Sequence, residues 1–373
     1  MLSKLYSKLL EWLTGGVLVS TKCVQFAFKP GHQCHEPIFI IRRIVEIAIE
    51  WQTHVFILDG DIAKAYDYTR HDLVLEAMQA RGIPDILAAA LVREVARPQC
   101  KVKLGSLESK STLRRNRALW QGDPSAPKLF NCTLDDVAFK FDKMAKRRKW
   151  VWPINSNGAS THLCLLLFAD NYWLICTSPQ ELQNAYAYWH QCLEEAGWHT
   201  LPQDLKYGST MRDDQMTKSV VTHRGEVITR VNRDEGFKAL GTQITFNKRN
   251  DAELVRRIRA AWGAFHKHYD ILCCRHADLG KRLRFFQKVV HPALFWCSSS
   301  WNFRGDQFIK LRGVQRSMLR RMLRFSRGEN EELQPFTQRT NGVISSIMDS
   351  YGIISWDSTV RRNFSNGRAG LQG

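Results

Sequence analysis

Two apolar runs on either side of Ala169-Asp170-Asn171 form the clearest pattern in the chain. They read LCLLLF over 163–168 and YWLICT over 172–177. Each run suits a buried strand and is short for a helix, while the residues between them favour a tight turn. The pattern therefore predicts a hairpin that carries Asp170 at its tip. Because burying an unpaired charge is costly, Asp170 is expected to be either a solvated turn residue or a metal ligand.

A second apolar run also ends in an acidic residue. Residues 54–60, HVFILDG, predict a short strand, and Asp61 follows it directly. If the two strands are neighbours in one sheet, the carboxylates of Asp61 and Asp170 face each other. Like charges repel strongly at such a distance unless a cation lies between them. Carboxylate oxygens suit Mg²⁺, so the pattern predicts a divalent metal site.

Helical periodicity organises much of the remaining chain. It predicts a helix over 4–14, another from Glu36 to near Trp51, and a long one after Pro127. The Ser-x-x-Glu spacing of Ser178-Pro179-Gln180-Glu181 is typical of a capping box, so a further helix is expected to start there.

The character of the chain changes near residue 248. Helical segments rich in Arg, Trp and Phe follow Asn250, and the pattern weakens beyond 328. We therefore place a domain boundary near 248 and predict an irregular tail over 329–373.

The charge balance points to a polyanionic partner. The chain of 373 residues carries 54 Lys and Arg against 36 Asp and Glu, a net charge of +18. Nucleic acid is the usual partner of so basic a protein. An acidic membrane surface is the competing interpretation, but no apolar run is long enough for a membrane span, and no membrane partner is expected.

The cysteine pattern favours free thiols in a reducing compartment. The ten cysteines include no CxxC pair, and His32, Cys34 and His35 lack a matching second pair for zinc. Charged residues interrupt the N-terminal apolar pattern, which is unlike a signal peptide. A nuclear or cytoplasmic protein that is not secreted is the expectation.

Five blocks, taken in order, resemble the reverse transcriptase domain of non-LTR (LINE-type) retrotransposons. These blocks are QFAFKPGH, DIAKAYD, WQGDPSAPKLFNCTLD, FADN and FKALGTQI, and the helical segments after residue 250 resemble the thumb. The resemblance covers roughly residues 1–325. It implies an α+β right-hand polymerase fold, with an antiparallel sheet backed by helices. The implied domains are partial fingers over 1–54, the palm with the remaining fingers over 55–248, and a helical thumb over 249–328.

The same resemblance implies a site and its ligands. Asp61 and Asp170 would be the catalytic, metal-bridging carboxylates, the carbonyl of Ile62 would be a further ligand, and the metal would be Mg²⁺ or Mn²⁺. Deoxynucleoside triphosphates would be added to a DNA primer on an RNA template, and the thumb would grip the RNA–DNA duplex through phosphates. The implied nucleotide-binding residues are Lys64, Tyr66, which would screen the sugar 2′-position, Gln121, Gly122 and Lys206. From the residues alone, Tyr66 also fits a core aromatic, Lys64 a surface lysine and Gln121-Gly122 a turn.

Asn171 is the main departure from the family pattern, because the second catalytic aspartate is expected at that position. An amide oxygen can bind a metal, but the negative charge is missing. We therefore expect an impaired RNA-directed DNA polymerase. The alternative is a catalytically inactive nucleic-acid-binding remnant of a retroelement, and a structural scaffold with an incidental charge excess is a third class. The chain resembles a fragment or degenerate copy of such an element, without an endonuclease domain or zinc knuckle.

Overall fold

A computed structural model describes the chain except for residues 1, 20–21, 24, 97–98, 112, 151, 157–158, 213–220, 248 and 371–373. It divides into two compact units. The first comprises Met1–Pro37 and Ile44–Arg233, and the second comprises Ile38–Arg43 and Asp234–Gly373. The main boundary between the two units therefore lies between Arg233 and Asp234. The change in composition had predicted a boundary near residue 248.

The helices, in chain order, are α1 (Leu2–Leu13), α2 (His35–Glu50), α3 (Ala65–Tyr68), α4 (His71–Gln79), α5 (Asp85–Ala96), α6 (Ala126–Arg148), α7 (Pro179–Glu195), α8 (Asp251–Lys267), α9 (Tyr269–Leu272), α10 (Leu279–Leu294), α11 (Gly305–Met322), α12 (Leu333–Ser350) and α13 (Trp356–Gly370). Short 3-10 turns occupy Val17–Val19, Pro202–Asp204 and Ser298–Ser300.

The strands, in chain order, are β1 (Phe56–Asp61), β2 (Gln99–Cys100), β3 (Lys103–Leu104), β4 (Leu107–Glu108), β5 (Leu113–Arg114), β6 (Trp152–Ser156), β7 (Ala159–Leu163), β8 (Leu165–Phe168), β9 (Asn171–Cys176), β10 (Lys206–Ser209), β11 (Thr222–His223), β12 (Glu226–Val227), β13 (Thr229–Arg230), β14 (Phe237–Ala239) and β15 (Thr242–Ile244).

A five-stranded sheet organises the first unit within the described residues. Its strand order is β13-β10-β1-β9-β8, and all pairs are antiparallel except β10 with β13. The central strands are buried on both faces, which explains why residues 56–58 of β1 and 172–176 of β9 are apolar without an alternating pattern. The α+β class and the antiparallel sheet backed by helices are confirmed.

Helices α6 and α7 supply much of the core beneath this sheet. Phe130 and Phe141 of α6 and Trp189 of α7 belong to the same buried cluster as Phe56 and Tyr172 of the sheet. The predicted start of α7 is confirmed, because the Oγ of Ser178 accepts a hydrogen bond from the backbone N–H of Glu181 at 3.2 Å. This cap satisfies one of the free N–H groups that begin a helix.

The second unit is mainly helical and has its own core. Phe265 of α8, Phe286 of α10, Leu311 of α11, Ile344 of α12 and Trp356 of α13 are buried together. The tail predicted as irregular over 329–373 is therefore wrong where α12 and α13 form. Their apolar residues recur four apart (Ile344 with Met348, Trp356 with Val360), but surrounding Ser, Asn and Gly residues mask that period.

No helix among the described residues is both long enough and apolar enough to cross a membrane.

Gly60 allows the two central strands to approach, which gives a first prediction. A Cβ at this position would lie 2.4 Å from the ring of Tyr172, whose side chain is fully buried. Gly60→Ala is therefore expected to lower the free energy of unfolding by roughly 1–3 kcal/mol, the usual cost of overpacking a core. Urea unfolding monitored by circular dichroism measures this change.

Gly263→Ala is the matched control for this substitution. Gly263 lies within α8, and a Cβ there would meet no atom within 4 Å. Alanine in an open helical position is expected to stabilise by roughly 0.5–1 kcal/mol. Equal effects of the two substitutions would contradict the close approach of Tyr172.

Candidate active site

The register of β1 against β9 brings two acidic chain segments together. Asp61 pairs with Asn171 and Gly60 pairs with Tyr172 in this antiparallel ladder. One residue before Asn171, the carbonyl of Asp170 accepts a hydrogen bond from the N–H of Ile62 at 3.1 Å. Asp61 and Asp170 therefore lie at adjoining strand ends, in the arrangement on which the predicted metal site depends.

One oxygen of the Asp61 carboxylate has no partner in the protein around it. This Oδ1 is buried and accepts no hydrogen bond from the described residues. Burial and then the negative charges of Asp170 and Asp204 raise the pKa of Asp61 to about 6, against the lowering effect of a hydrogen bond from the backbone of Ile62. Burial also raises the pKa of Asp170. Hard oxygen ligands that repel one another in this way fit a divalent cation.

Two carboxylates make an incomplete shell for such a cation. Among the described residues, no group of three or more His, Cys, Asp and Glu side chains is arranged to hold a metal. Mg²⁺ usually retains several waters and binds through one or two carboxylates together with phosphate oxygens. The residues present therefore fit a metal that shares its shell with water and a phosphate-bearing ligand.

Sequence reasoning missed two further acidic residues at this corner. Asp204 lies at the end of the 3-10 turn before β10 and acts electrostatically on Asp61. Asp59, two residues before Asp61 on β1, has its pKa raised to about 8 by burial, against the lowering effects of Trp173 and Lys206. Neither residue belongs to a recognisable block, and Asp204 approaches Asp61 only through the fold.

Asn171 places an amide at this acidic corner. Its Nδ2 lies 3.5 Å from Oδ1 of Asp170, close to the limit for a hydrogen bond. The side chain thus turns a donor toward the Asp170 carboxylate where an aspartate would add a second negative charge. The Asn171 side chain therefore contributes no negative charge to this corner.

Lys64 and Tyr66 follow β1 directly. Lys64 is exposed and has a left-handed backbone (φ +46°), which turns the chain into α3. Tyr66 is half-buried and stacks on Phe130, with ring centroids 5.1 Å apart. Its carbonyl accepts a hydrogen bond from the N–H of Leu119 at 2.9 Å. The stack holds the phenol ring in place, so the core interpretation and the sugar-screening interpretation of Tyr66 are compatible.

The remaining predicted nucleotide-binding residues occupy a turn and a neighbouring strand. Gln121 and Gly122 are exposed, and the φ of +89° at Gly122 is a conformation that favours glycine. They follow Leu119, which is bonded to Tyr66. Lys206 is exposed on β10, opposite Asp59 in the register with β1. The structure thus places Lys206 one strand away from Asp61.

Gln25 braces the turn that carries Asp170, and sequence reasoning missed it. Its Oε1 accepts hydrogen bonds from the N–H groups of Ala27 at 3.0 Å and Ala169 at 3.1 Å, and its Nε2 donates to the carbonyl of Ala169 at 3.3 Å. Ala169 has a left-handed backbone (φ +54°), which costs energy for a residue with a Cβ. The buried Gln25 amide therefore stabilises a strained residue next to Asp170.

The segment that carries Gln25 is itself tied to α6. Asp135 of α6 is buried and accepts hydrogen bonds from the backbone N–H groups of Lys22 (2.7 Å) and Cys23 (2.9 Å), and from Arg81 at 2.9 Å. Asn131, one turn earlier, donates to the carbonyl of Ala27 at 2.7 Å. These contacts position Gln25 from both sides.

An antiparallel sheet with paired acidic strand ends defines this unit as an α+β protein of the polymerase-palm type. The family described as reverse transcriptase (RNA-dependent DNA polymerase) matches residues 1–244, and the chain belongs to this family.

Relatives among curated proteins are retrovirus-related Pol polyproteins from the type-1 retrotransposable element R2. That of Nasonia vitripennis is 26% identical over 215 residues, or 54% of this chain, and that of Popillia japonica is 28% identical over 127 residues, or 34% of it. The chain spans about 20% of the length of each relative. These relatives agree with a partial non-LTR reverse transcriptase domain.

Solved structures of telomerase are also similar to the chain. Apo telomerase from Candida tropicalis matches with a TM-score of 0.46 at 10% identity, over 96% of this chain and 60% of that one. Telomerase from Candida albicans, in complex with a fragment of telomeric RNA, matches with a TM-score of 0.42 at 11% identity, over 96% of this chain and 56% of that one.

The raised pKa of Asp61 gives a second prediction. An ionised Asp61 opposes folding at pH values above about 6, whereas below about pH 4 it is protonated in both the folded and unfolded states. Asp61→Asn is therefore expected to be more stable than the parent at pH 7 by roughly 1–3 kcal/mol, with no gain below about pH 4. Denaturant unfolding across this pH range measures the difference.

Glu329→Gln, at an exposed position in the turn before α12, is the control and is expected to change little at either pH. Added Mg²⁺ should stabilise the parent but not Asp61→Asn, because a ligand stabilises only the state that binds it. A gain for Asp61→Asn that is the same at every pH would contradict the electrostatic account.

Gln25 gives a third prediction. Gln25→Leu keeps the approximate volume but leaves the N–H of Ala169 and the N–H of Ala27 without their partner. A loss of roughly 1–3 kcal/mol in the free energy of unfolding is expected for buried groups left unsatisfied. Gln180→Leu, on an exposed position of α7, is the matched control. A similar small effect at both positions would show that Gln25 does not brace the turn.

Proposed function

We propose that this chain is an RNA-directed DNA polymerase domain whose catalytic centre is formed by Asp61 and Asp170. The observation that carries the proposal is the β1–β9 register, which sets the two carboxylates at adjoining strand ends with a buried, unpartnered oxygen on Asp61. A divalent cation bound there, Mg²⁺ or Mn²⁺, would supply the charge stabilisation needed to transfer a nucleotide to a primer 3′-oxygen. The carbonyl of Ile62 is the proposed third protein ligand.

The residues around the carboxylates would hold the incoming deoxynucleoside triphosphate. Lys64 and Lys206 carry ammonium groups suited to phosphate oxygens. Tyr66, fixed by its stack on Phe130, would block the space that a ribose 2′-hydroxyl needs. Gln121 and Gly122 would line the base, with glycine leaving the backbone open to close approach.

The wider chain would bind an RNA template paired with a DNA primer. In this assignment residues 1–54 supply partial fingers, residues 55–248 supply the palm with the remaining fingers, and residues 249–328 supply the thumb. A net charge of +18 suits contacts to phosphates that carry no sequence preference. The reaction is in-line transfer, in which the primer oxygen bonds to the α-phosphorus and pyrophosphate leaves.

Asn171 would lower the activity of this centre. One charge interaction near 4 Å is worth up to about 4 kcal/mol at an effective dielectric constant near 20. Losing half of that stabilisation in the transition state slows a reaction by more than about tenfold. A non-catalytic nucleic-acid-binding role is the second candidate, and Asn171 is the observation that favours it.

The fourth prediction compares the parent with Asn171→Asp. Primer extension on an RNA template with Mg²⁺ is expected to be weak for the parent and at least about tenfold faster for Asn171→Asp, because the restored charge strengthens metal binding. Primer extension resolved on a denaturing gel measures both rates. Asp170→Asn in the Asn171→Asp background is the control and should abolish extension.

The outcomes separate the two candidate functions. If either protein extends the primer and this extension requires Asp170, the polymerase function is supported. No extension by Asn171→Asp would contradict a competent polymerase scaffold. In that case, binding to an RNA–DNA duplex that weakens steeply with salt would support the non-catalytic role.

A further inference from the structure

A ladder of stacked rings lies on the surface of the second unit. Trp262 and His266 of α8 stack with centroids 5.6 Å apart and planes 25° apart, and His266 stacks in turn on Tyr269 at 6.4 Å and 18°. The spacing of four residues places the Trp262 and His266 rings on one side of α8, and Tyr269 at the start of α9 continues the stack. We name Trp262, His266 and Tyr269 the ring ladder.

An arginine closes one end of the ring ladder. The guanidinium of Arg321, on α11, lies over the Trp262 ring, with its carbon 4.8 Å from the ring centroid. A planar cation on an aromatic face is a favourable cation–π arrangement. The sequence of planes is therefore Arg321, Trp262, His266 and Tyr269.

The other end of the ring ladder faces solvent. Tyr269 keeps 40% of its surface exposed, and His266 is exposed as well, whereas Phe265 is fully buried in the core of the second unit. Phe265 meets Tyr269 edge to face at 6.2 Å, so the core fixes the Tyr269 ring from behind. The ladder thus presents a rigid terminal ring on a packed base.

The charges beside the ring ladder are mainly positive. Lys267, Arg321 and Arg324 are exposed, and Arg324 is held by a hydrogen bond from its Nε to the carbonyl of Cys273 at 3.2 Å. Asp270, next to Tyr269, is the acidic exception. A protein partner for exposed aromatic rings would be expected to bring an apolar face, whereas cations beside stacked rings suit bases joined by phosphates.

We propose that the ring ladder binds single-stranded nucleic acid by stacking an unpaired base on Tyr269. The base would extend the existing stack, and Lys267 and Arg324 would attract the flanking phosphates. Every base has a π face, so such a site tolerates any sequence and discriminates against paired bases. This site lies within the second unit and is independent of the proposed polymerase chemistry.

The fifth prediction tests the base requirement with the full chain and without metal or nucleotide. Single-stranded oligonucleotides of about twelve residues, a length within the usual range of such sites, are labelled with fluorescein. Tyr269→Leu is expected to weaken their binding by about fivefold or more, the loss typical of one stacked base. Tyr269→Phe keeps the ring and should bind as the parent does. Fluorescence anisotropy measures each affinity.

Two controls separate stacking from general electrostatic attraction. An abasic strand with the same number of phosphates should bind the parent and Tyr269→Leu equally well. Tyr6→Leu, which removes an exposed tyrosine from α1, should leave all affinities unchanged. RNA and DNA strands are measured separately. The strand that binds more tightly identifies the kind of nucleic acid that the ring ladder prefers.

Crosslinking locates the contact independently of any substitution. A strand carrying 5-iodouracil should crosslink under irradiation to a peptide that contains Tyr269 or His266. Equal loss of affinity for abasic and base-bearing strands would overturn the proposal. So would unchanged binding by Tyr269→Leu together with crosslinks confined to other peptides.

Discussion

The register between β1 and β9 is the constraint on which the candidate active site depends. Side chains alternate along a strand, so a slip of one residue would move Asp61 to the other face of the sheet. Gly60 and Tyr172 resist such a slip, because only a residue without a Cβ fits against that ring. Apolar packing beneath the sheet therefore fixes the position of the carboxylates, and their own repulsion does not displace them.

Charge is distributed unevenly in relation to this corner. The chain as a whole is strongly basic, yet Asp59, Asp61, Asp170 and Asp204 interact around one strand end. An acidic corner repels phosphates unless cations are bound there, whereas a protein of net positive charge attracts phosphates. The combination suits a site that admits a polyanion only together with metal ions.

The sequence predicted those parts of the structure that depend on local periodicity. The hairpin tip at Asp170, the strand before Asp61 and the capped start of α7 each follow from residues adjacent in the chain. Gln25 escaped prediction because its role depends on a contact with Ala169, which lies 144 residues away. Asp204 and Asp59 become relevant only through the neighbouring strands. Helices α12 and α13 were missed because their buried residues are sparse among polar ones.

The side chain of Asn171 affects the stability of the acidic corner when no metal is bound. Burial and Asp170 already raise the pKa of Asp61 to about 6, so a third carboxylate would add repulsion whenever no cation is bound. The amide of Asn171 instead turns its Nδ2 toward Asp170. On this argument the neutral amide of Asn171 spares the metal-free acidic corner further charge repulsion.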